Sequence, residues 1–187
     1  MGVGLDHLQG LYADTSDPWG FADSPYEQSK FAATRAALSQ SGYRSAFELG
    51  CGNGELASHL SELCGRYIGM DAIATALRAA RERVPEARFV QGFYPGPLPE
   101  GDFDLLILSE VLYFLDAQGL ARLAEDISAR WREAEILCVT WLGPTGNPLQ
   151  GNEALRMFTD ALPSHAFTCV TKTDNYRIDR GLPGRRT

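Results

Sequence analysis

The chain has 187 residues, 44% of them hydrophobic and 22% charged, with a formal net charge of -7. That length supports one domain with a full core, and the acidic balance argues against a nucleic-acid partner, because phosphate binding needs a basic surface. No run approaches the ~20 apolar residues that cross a bilayer, so no membrane partner is expected.

The opening MGVGLDHLQGLYADTSDPWG lacks a basic n-region and an apolar run of signal-peptide length, so a cytoplasmic location is expected. About the first fifteen residues look irregular. A helix should start at Ser24-Pro25-Tyr26-Glu27, with Ser24 as cap, Pro25 at the first helical position and Glu27 closing a capping box. It should run to about Gln40 and stop near Gly42.

Short apolar runs then alternate with amphipathic stretches. Strands are predicted at 45–49, 67–70, 88–91, 104–109, 134–141, 165–172 and 175–179. Helices are predicted at 54–64, 72–83, 116–131 and 152–161. In the third of these Leu120, Leu123, Ile127 and Trp131 share one face, with Asp116 as cap. This alternation implies an α/β fold, a mostly parallel sheet covered on both faces. The last two strands should form an antiparallel edge hairpin. The stretch GFYPGPLPEGDF after Gln91 is too rich in Pro and Gly for a helix, so the third strand should reach the fourth by a loop. One domain is expected over 1–187: a cap segment over 1–42, a core over 43–180 and a disordered basic tail over 181–187. The four cysteines, Cys51, Cys64, Cys138 and Cys169, form no CxxC pair, and buried free thiols are the expectation.

Chemistry concentrates at Phe47-Glu48-Leu49-Gly50-Cys51-Gly52-Asn53-Gly54, a strand feeding a glycine loop into a helix. In an open parallel sheet, ligands bind beyond the carboxyl ends of the strands where strand order reverses. Asp71, at the end of the second strand and 21 residues after Gly50, can accept two hydrogen bonds from a ribose diol. The pair points to an adenosine-type cofactor. A dinucleotide fingerprint wants G-x-G-x-x-G/A. Aligned on Gly50 and Gly52 its third position is Glu55, which fails; aligned on Gly52 and Gly54 it is Ala57, which passes weakly.

The E-x-G-x-G-x-G pattern led by Glu48 resembles motif I of class I S-adenosylmethionine (SAM)-dependent methyltransferases. Three segments, DPWGFADSPYEQSK (17–30), FELGCGNGEL (47–56) and SEVLYFL (109–115), are similar to the nodulation-protein-S family, whose members N-methylate an amino sugar. The resemblance implies a three-layer Rossmann-like fold with a seven-stranded sheet and an N-terminal cap helix. It implies SAM as cofactor, with S-adenosylhomocysteine (SAH) as product, and a small-molecule acceptor. Gly50, Cys51 and Gly52 would lie at the methionyl part and Asp71 at the ribose, with Glu48, which leads the motif, also at the cofactor site. Ala72, Ile73, Gly92 and Phe93 would lie near the adenine, and Ser109 at the end of the fourth strand. An N-terminal segment folded over the cofactor would bring Trp19, Tyr26 and Lys30 to the site. The family pattern's acidic residue after the third strand is missing here, where Gln91-Gly92-Phe93 stands. The stretch 143–151 is where acceptor contacts should fall.

Methyl transfer is an in-line displacement that needs alignment and exclusion of water. A neutral amine needs no strong base, whereas a hydroxyl usually needs a base or a metal. His7, His59 and His165 read better as structural or surface residues than as bases, and no cluster has metal-ligand spacing. Glu110 and Tyr113 are the catalytic candidates, Glu110 to attract an ammonium or accept its proton. Against them stand a first-turn helix carboxylate favoured by the macrodipole and a core aromatic. The expected activity is methyl transfer to a small polar amine. The alternatives are O-methylation, a nicotinamide-dependent oxidoreductase and a SAM-binding module without turnover.

Overall fold

The computed structural model describes residues 2–11, 15, 17, 20 and 24–184. These form a seven-stranded sheet of order β3-β2-β1-β4-β5-β7-β6. The strands are β1 (Ala46–Leu49), β2 (Tyr67–Asp71), β3 (Arg88–Gln91), β4 (Leu105–Ser109), β5 (Glu135–Trp141), β6 (His165–Lys172) and β7 (Tyr176–Pro183). β1 to β5 pair in parallel. β7 runs antiparallel to both β5 and β6 and forms the expected edge hairpin with β6. β1, β4 and β5 are buried almost throughout, as strands covered on both faces must be.

The helices are α1 (Leu5–Leu11), α2 (Pro25–Ala36), α3 (Glu55–Leu60), α4 (Ala74–Arg83), α5 (Ala117–Arg130) and α6 (Gly151–Asp160). Helix α5 lays Leu120, Leu123 and Ile127 into a core with Phe47, Leu106, Ile136 and Trp131. Leu56, Ala57, Leu77 and Ala80 of α3 and α4 pack with Ala46, Leu105 and Ile107 in a second core. The Ser24 side chain accepts from Glu27 N at 3.3 Å and the Asp116 side chain from Gly119 N at 2.8 Å, so both expected caps form. No helix interrupts 92–104, and the third strand reaches the fourth by a loop.

Several expectations are corrected. Residues 5–11 are helical rather than irregular. Helix α2 ends at Ala36, four residues early, because Glu135 on β5 accepts from Ser39 N at 3.0 Å and from the Tyr43 hydroxyl at 2.8 Å and draws the chain out of the helix. Glu27 turns its carboxylate to Lys30 instead of closing a capping box. The helix predicted over 54–64 gives way to a 3-10 turn at Ser61–Leu63. The tail is not disordered as far as Pro183. Gly181 pairs with Ile136 on one side and Phe167 on the other, which carries β7 past its predicted end. Cys138 is buried, but Cys169 is exposed on β6; all four cysteines are free thiols.

Candidate active site

Strand order reverses between β1 and β4, and a cavity of about 660 Å³ opens beyond the carboxyl ends of the strands there. Its floor is the glycine loop. Gly50, Gly52 and Gly54 have φ of +76°, +51° and +79°, a region that L side chains rarely adopt. A Cβ on Gly50 would stand 2.9 Å from Val111 Cγ2, so this position excludes every other residue on two counts. Gly50 N and Cys51 N both donate to Met70 O, at 2.8 and 3.1 Å, which folds the loop back over β2.

Asp71 closes that fold. Its Oδ2 accepts from Gly52 N and its Oδ1 from Ile73 N, both at 2.9 Å. Burial pushes its carboxyl above the usual range, and the two amide bonds only partly offset this. A carboxylate with spare lone pairs and uncompensated burial fits a diol donor. Glu48 lies beneath the loop, 1% exposed, and accepts from the Tyr67 hydroxyl at 2.8 Å. Burial raises its carboxyl to about 8; the Tyr67 bond works against this and the nearby Asp71 charge adds to it. Burial likewise keeps the Cys51 thiol protonated.

The opposite wall carries a charged cluster. Lys30 of α2 is 2% exposed. Its ammonium pairs with Glu110 and lies 2.6 Å from Glu27 Oε2. Burial alone would lower the Lys30 pKa; Glu110 and then Glu27 outweigh it, so the group is held above its ordinary value. Glu110 follows β4 with φ of +53°, a strained conformation for a residue with a side chain. Two contacts accompany it: its N–H donates to Val139 O at 2.8 Å, and its carboxylate meets Lys30. Burial, then Glu110 and Glu27, push the Tyr113 phenol well up, so it stays protonated at any ordinary pH.

The cavity gathers Lys30, Glu48, Gly50, Cys51, Gly52, Asp71, Ala72, Ile73, Gly92, Phe93, Ser109, Glu110 and Tyr113. Tyr26 is not among its lining residues; it stands edge-on to Tyr176, with ring centroids 6.1 Å apart. Trp19 lies outside the described residues. The stretch 143–151 contributes Pro144, Thr145, Gly146 and Asn147. Sequence reasoning missed Glu27, Val111 and Trp141, which line the cavity too. It also missed His7 and Leu8, because α1 had read as irregular. The i, i+3 spacing of Glu27 and Lys30 was the available signal. His59 Nε2 lies 3.1 Å from Gln28 Oε1 on the outer side of α3. His165 donates to Ala134 O at 2.9 Å, before the start of β5 and so at the end of the sheet away from the cavity, a structural role.

Among the described residues no group of three or more His, Cys, Asp or Glu side chains is placed to hold a metal ion. Nor is any helix long and apolar enough to cross a membrane. A dinucleotide would set its pyrophosphate at the start of the helix after the glycine loop. Here Glu55, 6% exposed and paired with Arg83, fills the first turn of α3 with negative charge. The cavity suits a cofactor without phosphates.

Known proteins share the family and the fold. Residues 6–129 match the family model for nodulation protein S (NodS). Nodulation protein S of Sinorhizobium fredii is 28% identical over 150 residues, 78% of this chain and 65% of that protein. The Rhizobium tropici protein is 29% identical over 116 residues, 58% of this chain and 47% of that one. The chain therefore spans less than two thirds of the length of these curated relatives. A crystallised candidate methyltransferase from Pseudomonas syringae is 33% identical, with a TM-score of 0.72, covering 84% of this chain and 98% of that one. The N-methyltransferase NodS from Bradyrhizobium japonicum, solved with SAH, is 17% identical. It shares the fold at a TM-score of 0.81 over 97% of this chain and 99% of its own. By its sheet order and by the family match over residues 6–129, the chain has the Rossmann-like methyltransferase fold and belongs to the nodulation protein S family.

Proposed function

We propose that this protein transfers a methyl group from SAM to the nitrogen of a small polar amine. The observation that carries the reading is the glycine loop locked to Asp71 on the floor of a cavity whose far wall is acidic. The Bradyrhizobium relative's complex with SAH supports the choice of cofactor. When bound, SAM supplies a methyl group made electrophilic by its sulfonium.

The chain does the rest by position and charge. Gly50, Cys51 and Gly52 offer bare backbone to the methionyl part above Glu48, and Asp71 accepts from the ribose. Ala72, Ile73, Gly92 and Phe93 form the adenine side, with Phe93 39% exposed and free to stack. Glu110 faces the acceptor and attracts an ammonium. Its carboxylate can take the proton an amine must lose before or after attack. Tyr113, held protonated, donates or packs but does not serve as base. The half-buried wall around Val111, Tyr113 and Phe114 excludes water from the transfer.

Two experiments test the reading. Calorimetry with SAM and SAH should show binding at one site, and no binding of either would remove the reading. Labelled SAM offered with glucosamine, small primary amines and the matching alcohols should label the amines. Label on alcohols alone would turn the reaction into O-methylation.

A further inference from the structure

The Lys30 ammonium is a charge in an expensive place. It sits at mid-helix on α2, 2% exposed, and burying an ammonium costs several kcal/mol unless its partners repay it. Its partners come from two elements. Glu27 lies one helical turn back, with a side chain 13% exposed, and Glu110 lies across the cavity mouth at the end of β4, 22% exposed. Both carboxylates line the cavity. Other groups feel this cluster: Tyr26 and Asp17 on the N-terminal side, Tyr113 after β4, and Tyr176 on β7. Among the described residues in this cluster none supplies a second cation, and the ammonium stands against two carboxylates, one of them on a residue with φ of +53°.

We propose that Lys30 is a positioning residue for the acceptor end of the site: it draws Glu110 into its left-handed conformation and holds both carboxylates at the cavity wall. This rests on the proposed methyl transfer to an amine, since an anionic Glu110 is what an ammonium would meet. Without Lys30, burial and the Glu110 charge raise the Glu27 carboxyl unopposed, so Glu27 takes up a proton more readily. The cavity wall then loses charge where the acceptor enters, and the force holding Glu110 against its backbone preference disappears. The lysine acts through Glu110 and not on the cofactor, which reassigns it from the cofactor contact that its place in the N-terminal segment suggested.

The test uses the full chain with carbon-13-labelled glutamate carboxyls, titrated by NMR. In Lys30→Met the Glu27 carboxyl, which burial raises and Lys30 draws back down, should titrate at a higher pH than in the wild type. Lys30→Arg should restore the wild-type titration. An unmoved titration in Lys30→Met overturns the proposal. Should Lys30→Met fail to fold, Lys30→Gln takes its place with the same expected rise for Glu27, and no movement overturns the proposal. Calorimetry with SAH gives a second arm. Lys30→Met should bind SAH within about threefold of the wild type, whereas a loss of tenfold or more assigns Lys30 to the cofactor and overturns the proposal. Failure of the wild type itself to bind SAH removes the proposed function instead, and the carboxyl titration still decides the role of Lys30.

Discussion

Asp71 Oδ2 accepts from Gly52 N at 2.9 Å, so the end of β2 holds the loop that leaves β1. One carboxylate thus shapes the floor of the cavity and presents its remaining lone pairs to a ligand. Asp71→Ala removes both functions. SAH affinity should fall by about 1–3 kcal/mol from lost hydrogen bonds, measured by calorimetry. Equal affinity in the two proteins would take Asp71 out of the site.

Gly50→Ala should be harmful in two ways. Its φ of +76° disfavours a side chain, at a cost of about 1–2 kcal/mol, and the new methyl would press on Val111 at 2.9 Å. Urea denaturation should show that loss, and SAH binding should weaken further because Val111 faces the cavity. A variant with wild-type stability and affinity would show that the loop can relax and does not need bare backbone there.

Glu110 and Tyr113 should separate kinetically. Glu110→Gln keeps size but removes the charge that faces an ammonium, and kcat/KM for the amine should fall about tenfold to a hundredfold, from ~1.5–3 kcal/mol. Tyr113→Phe keeps the packing of a ring that never ionises, so its loss should stay below about tenfold. A larger loss in Tyr113→Phe than in Glu110→Gln would reverse their roles.

Glu48 makes stability depend on pH in an unusual direction. Burial raises its native pKa from 4.5 to about 8, so between those values the native state holds a proton that the unfolded chain has released. This stabilising contribution is fully present below about 4.5 and fades as pH rises towards about 8. Glu48→Gln keeps an acceptor for the Tyr67 hydroxyl without the titration. Denaturation at several pH values should show the wild type losing stability relative to Glu48→Gln as pH climbs through that window, then levelling. A constant difference between the two proteins would mean that Glu48 is ionised in the native state.

Glu135→Ala tests the lock at the far end of the sheet. It strands the Tyr43 hydroxyl and the Ser39 amide and hydroxyl, which now bond to the Glu135 carboxylate. The cost should be roughly 1–3 kcal/mol, that of the one buried group left unpaired, the Tyr43 hydroxyl, since exposed Ser39 turns to water. Because this lock lies away from the cavity, SAH affinity of the folded variant should stay unchanged.

Local chemistry made much of this molecule legible. The alternation of apolar runs and amphipathic stretches determines the parallel sheet, since such runs are stable only when covered on both faces. The glycines of 50–54 and the acidic end of β2 determine the floor of the site, because φ and hydrogen-bonding capacity belong to single residues. What the tertiary structure decided depends on partners distant in sequence. Glu135 lies 96 residues from Ser39 and shortens α2, and β5 and β6 together extend β7 to Pro183. Lys30 meets Glu110 across 80 residues. No pattern within a helix shows that its lysine will be buried against a strand end, because the energy of a buried charge is set by what surrounds it in space.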